Sequence, residues 1–154
     1  MKALKELSEL DYMDKLKKYP NMPVHAISRA RFNDHTANQL TGCILKWLTL
    51  HGHWGTRITT TGRQIQGSTV TDVIGRAHIM AGKWIPGTTR KGTADIHGII
   101  NGRHVSIEVK VGRDKMSEHQ NKTKKAIEQS GGIYWVVKTF DEFMIRYKEL
   151  MGKS

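Results

Sequence analysis

Residues 94–110, ADIHGIINGRHVSIEVK, constrain the fold of this chain more than any other stretch. Two runs that alternate apolar and polar residues flank Asn101-Gly102, a dipeptide that accepts the positive φ angles of a two-residue type I′ turn and so predicts a β-hairpin. That turn sets the register: Ile100 faces Arg103, His97 faces Ser106 and Asp95 faces Glu108. Successive side chains point to opposite sides of a strand, so Ile96, Ile100, Val105, Ile107 and Val109 share one face, while Asp95, His97, Ser106, Glu108 and Lys110 share the other. The first face reads as core and the second as a site. Opposed Cβ atoms lie about 4.5–5.5 Å apart, and like charges there weaken the pairing unless something positive stands between them. Lys110 and a divalent cation would supply that charge.

Two carboxylates and a backbone carbonyl are hard oxygen donors, which suit Mg²⁺ or Mn²⁺ rather than zinc. A cation held there can polarise a phosphodiester and acidify a bound water, while a lysine beside it offsets charge developing on the phosphate. The competing reading is an ordinary solvated strand face carrying a surface ion pair. His97 reads as a surface or phosphate-contacting histidine before it reads as a ligand or base.

On either side of the hairpin the periodicity is mostly helical. Ala3, Leu7, Leu10 and Leu16 recur at helical spacing until Pro20 and Pro23, predicting an amphipathic helix over 2–18 outside the core domain, either covering that domain, pairing with a second subunit or, as the first expectation, lying solvated along one edge, with 1–23 as helix and linker and 24–154 as the main domain. From Thr36 to His51, Leu40, Cys43, Ile44, Trp47 and Leu48 form one stripe and Gly52 stands at the C-cap position, which predicts a core helix. Cys43 lies on that stripe and reads as a packed hydrophobe. Residues 56–61, TRITTT, have the β-branched content of a strand. A glycine-punctuated stretch then runs to Gly92 with no period of its own, carrying Arg57 at its approach and then Arg63, Arg76, Lys83, Arg90 and Lys91 against Asp72 alone. Such a loop suits a phosphate backbone, and Trp84 within it is suited either to packing in the core or to stacking on a base. Beyond the hairpin the reading is a helix over 117–130 closed by Gly131-Gly132, a buried strand over 133–138, and a last helix opened by a capping box at Thr139 and Glu142 with Phe143, Met144, Tyr147, Leu150 and Met151 on one side.

The chain has 25 Lys and Arg against 14 Asp and Glu, a formal charge of +11, which favours polyanionic partners such as nucleic acid. One cysteine among 154 residues allows no internal disulfide and no Cys-rich zinc site, and fits a reducing cytoplasm, that of a bacterium or a phage-infected cell. No signal peptide and no run of about 18 apolar residues is read, so neither secretion nor a membrane is expected.

At Asp95 and Glu108-Val109-Lys110 the sequence resembles the PD-(D/E)XK nuclease superfamily, and within it the small phage-type VRR-NUC nucleases. The matching stretch KGTADIHGIINGRHVSIEVKVGRDKMSEHQ, followed by GGIYWVVKTFDEF, runs from Lys91 to Phe143; with the helix ANQLTGCILKWLTLHG the likeness covers most of residues 37–145. The resemblance implies an α/β, restriction-endonuclease-like core, a mixed central β-sheet flanked by helices, here with an extra N-terminal amphipathic helix. It implies Mg²⁺ or Mn²⁺ bound by Asp95, Glu108 and the carbonyl of Val109, with Lys110 as catalytic lysine and cleavage of DNA, branched DNA such as a four-way junction included. A homodimer is implied as well. Gln120 takes the place of a glutamine found near the scissile phosphate in many relatives, though Ser117 and Gln120 also have capping-box spacing. Many relatives carry a glutamate on the first core helix; here no acid lies between Thr36 and His51, which leaves Asn38 or Gln39 to act through a neutral oxygen, or Asp34 just upstream.

Overall fold

The computed structural model describes residues 2–59, 62–71, 73–79, 81–85, 87 and 89–152, with Arg63 by its backbone alone. The hairpin forms as its turn dictates. Asn101 and Gly102 have φ of 49° and 72°, the two positive values a type I′ turn requires. They join β6 (Ile96–Ile100) to β7 (Arg103–Val109) in the register Ile100↔Arg103, His97↔Ser106, Ile96↔Ile107. β1 (Trp54–Arg57) adds antiparallel to the outer side of β6, and β8 (Ile133–Val137) adds parallel to β7, giving a mixed four-stranded sheet of order β1-β6-β7-β8.

Helices cover both faces of the sheet. Ile96, Ile100, Val105, Ile107 and Val109 join Trp135 and Val137 against α2 (Ala37–Leu50) and α4 (Phe140–Met151) in one apolar cluster. α2 starts at a full capping box, Thr36 Oγ1 accepting from Gln39 N–H and Gln39 Oε1 from Thr36 N–H, and stops before Gly52, whose φ is 71°. On the opposite face lies α3 (Glu118–Gln129), capped by Ser117 and Ser130, with Gly131 at φ 82° beyond it.

Three sequence expectations change. The helix α1 (Lys2–Lys18) is not outside the core: Ala3 and Leu7 belong to the same cluster as Trp47 and Phe143, and buried Asp11 pairs with Lys46 of α2 at 2.7 Å and with Lys15 at 2.8 Å. The strand expected over 56–61 is β1, which begins earlier and ends at Arg57, because its partner β6 begins at Ile96; residues 60 and 61 lie outside the described residues. The glycine-punctuated stretch is not a loop throughout. β2 (Arg63–Ile65) pairs with β5 (Lys83–Ile85), and nested within them β3 (Thr69–Thr71) pairs with β4 (Ala77–Ile79), making a ribbon arm. Its strands are three residues long and largely exposed, so no inside face imposes the alternation that marks a half-buried strand. A smaller correction concerns the box at α4: Thr139 Oγ1 does cap Glu142 N–H, but Glu142 Oε2 accepts from Lys138 N–H rather than from Thr139. Among the described residues no helix is long and apolar enough to cross a membrane.

Candidate active site

The two acids meet at the open end of the hairpin, by different routes. The ladder stops at Ile96↔Ile107, so Asp95, one residue further out, makes no backbone pair with Glu108. Its carbonyl instead accepts from Ile58 N–H at 2.8 Å, and its carboxylate Oδ2 reaches across to accept from Val109 N–H at 2.9 Å. Asp95 thus replaces a main-chain acceptor at the ladder's end and stays half-buried. What touches Asp95 at Val109 is the amide N–H, and the Val109 side chain lies in the core.

Glu108 is only 1% exposed, which removes the solvated-face reading. Three donors hold it: Lys110 Nζ at 3.0 Å and the amide of Gln120 on Oε1, and the phenol of Tyr134 at 3.3 Å on Oε2. Gln120 fills the capping role its spacing allowed, its Oε1 accepting from Ser117 N–H at 2.8 Å to close the box of α3, while its amide reaches Glu108. Burial, and after it the Asp95 charge, push the Glu108 carboxyl above its usual range in spite of Lys110 and Tyr134. Burial works against the Lys110 ammonium too, yet the carboxylates of Glu108 and Asp114 outweigh it and raise its pKa, so Lys110 stays charged. Burial and the same Glu108 charge push Tyr134 up, which keeps it a donor. A buried carboxylate, a second carboxylate beside it and a permanently protonated lysine form an anionic site with a cationic edge. Oxygen donors of this kind suit a hard cation, and the raised Lys110 pKa argues against a neutral lysine base.

No protein-family model matches the chain, and no curated protein matches it in sequence.

The remaining sequence candidates divide. Lys91 lines a cleft of about 510 Å³ together with Asp95, Gln120, Trp84 and Gly62. Gly92 makes that cleft possible: its φ is +84°, and a Cβ there would stand 2.5 Å from the carbonyl oxygen of His119, so the 91–93 turn lies directly on the first turn of α3. Arg57 is exposed on β1 and donates to Asn38 Oδ1 at 2.7 Å, which engages the oxygen that Asn38 would offer a cation. Gln39 is committed to its cap, and Asp34 Oδ2 accepts from Phe140 N–H at 2.8 Å at the start of α4. Arg76 and Lys83 stand exposed on the ribbon arm, Arg90 borders a separate depression beside α3, and the Arg63 side chain lies outside the described residues. His97 faces His104, with Nδ1 3.2 Å from the His104 Nε2, and burial followed by the His104 charge lowers its pKa, so it is neutral at pH 7. Cys43 is buried, donates to the Asn33 carbonyl, and its thiol is pushed up to about 11 by burial and the Asp34 carboxylate, as befits a packed hydrophobe.

Sequence reasoning missed Tyr134 and Asp114. Tyr134 sits within an unbroken apolar run and reaches Glu108 only because β8 pairs Tyr134 with Ser106 and Val136 with Glu108. Asp114, 3.3 Å from Lys110 Nζ, follows it by four residues, a weak signal outside a helix.

Proposed function

We propose that this protein is a metal-dependent DNA endonuclease of the PD-(D/E)XK type, with a restriction-endonuclease-like core. The observation that carries the reading is Glu108, a carboxylate shut in at 1% exposure, held by Lys110 and Gln120, and set beside Asp95, which lines a cleft. A purely structural ion pair has no need of a second acid that raises the first one's pKa. Carboxylate and carbonyl oxygens are the donors a hard cation prefers. No group of three or more His, Cys, Asp or Glu that could hold a metal ion occurs among the described residues, so Asp95 and Glu108 would hold Mg²⁺ or Mn²⁺ with the Val109 carbonyl and with water or substrate oxygens completing the shell. Bound there, the cation would supply Lewis acidity and a more acidic water.

The chain's own groups have separate tasks. Lys110, kept protonated beside Glu108, stabilises charge that develops on a phosphate held at the two acids. Gln120 and Tyr134 orient the Glu108 carboxylate through both of its oxygens. Lys91 and the exposed cations of the arm, Arg76 and Lys83, attract the phosphate backbone, in keeping with the +11 charge. The family likeness adds branched DNA as substrate and a homodimer, since two symmetric cuts need two sites.

A second reading, a DNA-binding protein that retains the fold without hydrolysis, is favoured by one observation: the neutral oxygen at Asn38 is already engaged by Arg57, so no third side-chain ligand replaces the absent helix acid. Incubation with a labelled four-way junction and a matched duplex in Mg²⁺, Mn²⁺ or EDTA decides between them. Metal-dependent cutting lost in Glu108→Ala and Lys110→Ala supports the nuclease; binding of both DNAs with no cutting in either metal overturns it in favour of the binder.

A further inference from the structure

Trp84 is the aromatic residue of the candidate cleft. It is 59% exposed and lines the same cleft as Asp95 and Gln120. It sits at the base of the ribbon arm on β5, opposite Gln64 of β2. The indole is seated rather than loose: a Cβ at Gly62 would lie 2.7 Å from its Cζ2, 2.8 Å from its Cε2 and 2.4 Å from the Ile85 carbonyl oxygen, so only glycine lets the ring rest on the chain at this point. The ring therefore rests on the arm at Cζ2 and Cε2, while more than half of the residue stays exposed beside the cleft. A large exposed aromatic costs apolar hydration, and here it serves no core.

We propose that Trp84 is a stacking platform for an unpaired DNA base next to the phosphodiester that Asp95 and Glu108 address. The location of the cut rests on the nuclease reading above; the stacking does not. A base inside a duplex is sandwiched by its neighbours and cannot reach an indole in a side cleft. Extruding it costs a few kcal/mol, least where it is already unpaired, whereas one base–aromatic stack returns about 1–3 kcal/mol. The balance is unfavourable on intact duplex and favourable at a branch, bubble or mismatch. Trp84 thus selects DNA with an unpaired base beside the cut, and Lys91 in the same cleft provides the charge that a nucleotide's phosphate requires. At about 510 Å³ the cleft is in the usual size range of ligand sites, roughly 300–1,000 Å³.

The test measures binding in EDTA by anisotropy of labelled DNA, with a duplex bearing a central unpaired loop and the same duplex fully paired, for the wild type and Trp84→Leu, Trp84→Phe and Trp84→Ala. Leucine keeps an apolar group on Gly62 without a π-face, and phenylalanine keeps the face. The expected result is that the leucine and alanine variants lose roughly 5- to 150-fold in affinity for looped DNA, the equivalent of about 1–3 kcal/mol for one stack. Affinity for paired duplex should be unaltered, and phenylalanine should recover most of the loss. Equal losses on both DNAs, wild-type affinity in the leucine variant, or no DNA binding by the wild type would each overturn the proposal. Cutting of the looped DNA in Mg²⁺ or Mn²⁺ is scored separately. Selective binding without cutting leaves the stacking platform standing and sinks the nuclease; cutting that is indifferent to Trp84→Leu does the reverse.

Discussion

Replacing Glu108 by glutamine separates a metal-binding carboxylate from a structural ion pair, because the two roles predict opposite changes in stability. A buried ion pair that holds a fold together costs about 3–5 kcal/mol when one partner is neutralised. For a chain of this size each kcal/mol moves Tm by about 2–4 °C, so the structural role predicts a fall of roughly 10 °C. The site geometry argues otherwise. Glu108 is almost wholly buried and Asp95 repels it, so folding shifts its carboxyl toward the neutral form even with Lys110 Nζ at 3.0 Å. Each tenfold preference for that form is worth about 1.4 kcal/mol. In EDTA at pH 7, Glu108→Gln is therefore expected to melt at or above the wild type. A carboxyl whose folded pKa is raised contributes its full stability below the unfolded value and loses it as pH rises through the folded one. The advantage of glutamine should thus vanish in acid and grow toward neutrality. Mg²⁺ or Mn²⁺ at about a hundred times its Kd should stabilise the wild type by about 2.7 kcal/mol and leave the variant unmoved. Differential scanning calorimetry across pH, with and without metal, reads all of this, and a cutting assay should show the variant inactive. A variant that melts about 10 °C low in EDTA, or one that still cuts, refutes the reasoning.

Three further outcomes are expected. Gln120→Glu keeps an oxygen for Ser117 N–H but sets an acid against Glu108, so cutting should fall roughly 10- to 100-fold while α3 keeps its cap, read as unchanged helical circular dichroism. Asp11→Asn should cost about 1–3 kcal/mol at pH 7 by untying α1 from Lys46 of α2. Burial raises the Asp11 pKa, but hydrogen bonds and charge from Lys15 and Lys46 outweigh it and leave the pKa lowered, so chemical denaturation should show this difference above the unfolded carboxylate range and lose it as pH falls through the folded pKa. Gly92→Ala forces a side chain into a positive-φ position against the His119 carbonyl, and should lower stability by about 1–3 kcal/mol in denaturant melts with a loss of cutting as α3 is displaced from the cleft.

The parts of the fold that were legible are those in which a local rule coincides with the final environment. The Asn101-Gly102 turn can take only one register with the apolar alternation around it, and β6 and β7 adopt it. Thr36 and Gln39 announce the start of α2, and the stripe from Leu40 to Leu48 is its buried side. The ribbon arm was not legible, since exposed three-residue strands have no face to pattern. Nor was the place of Leu7 in the core, because a short amphipathic helix has the same pattern whether it packs on α2 and α4 or on another subunit.

The same division runs through the site. That Asp95, Glu108 and Lys110 belong to one face of one hairpin followed from the sequence alone, since side-chain alternation and a two-residue turn are properties of a few adjacent residues. That this face is buried under α3, that Tyr134 and Gln120 grip Glu108, and that Trp84 lines the same cleft as Asp95 were decided by tertiary structure. Each depends on pairing between segments far apart in the chain, β7 with β8 and the 91–93 turn with α3, which no local propensity encodes. A carboxylate's place in a strand is a matter of sequence; its charge state and its use depend on what the fold lays over it.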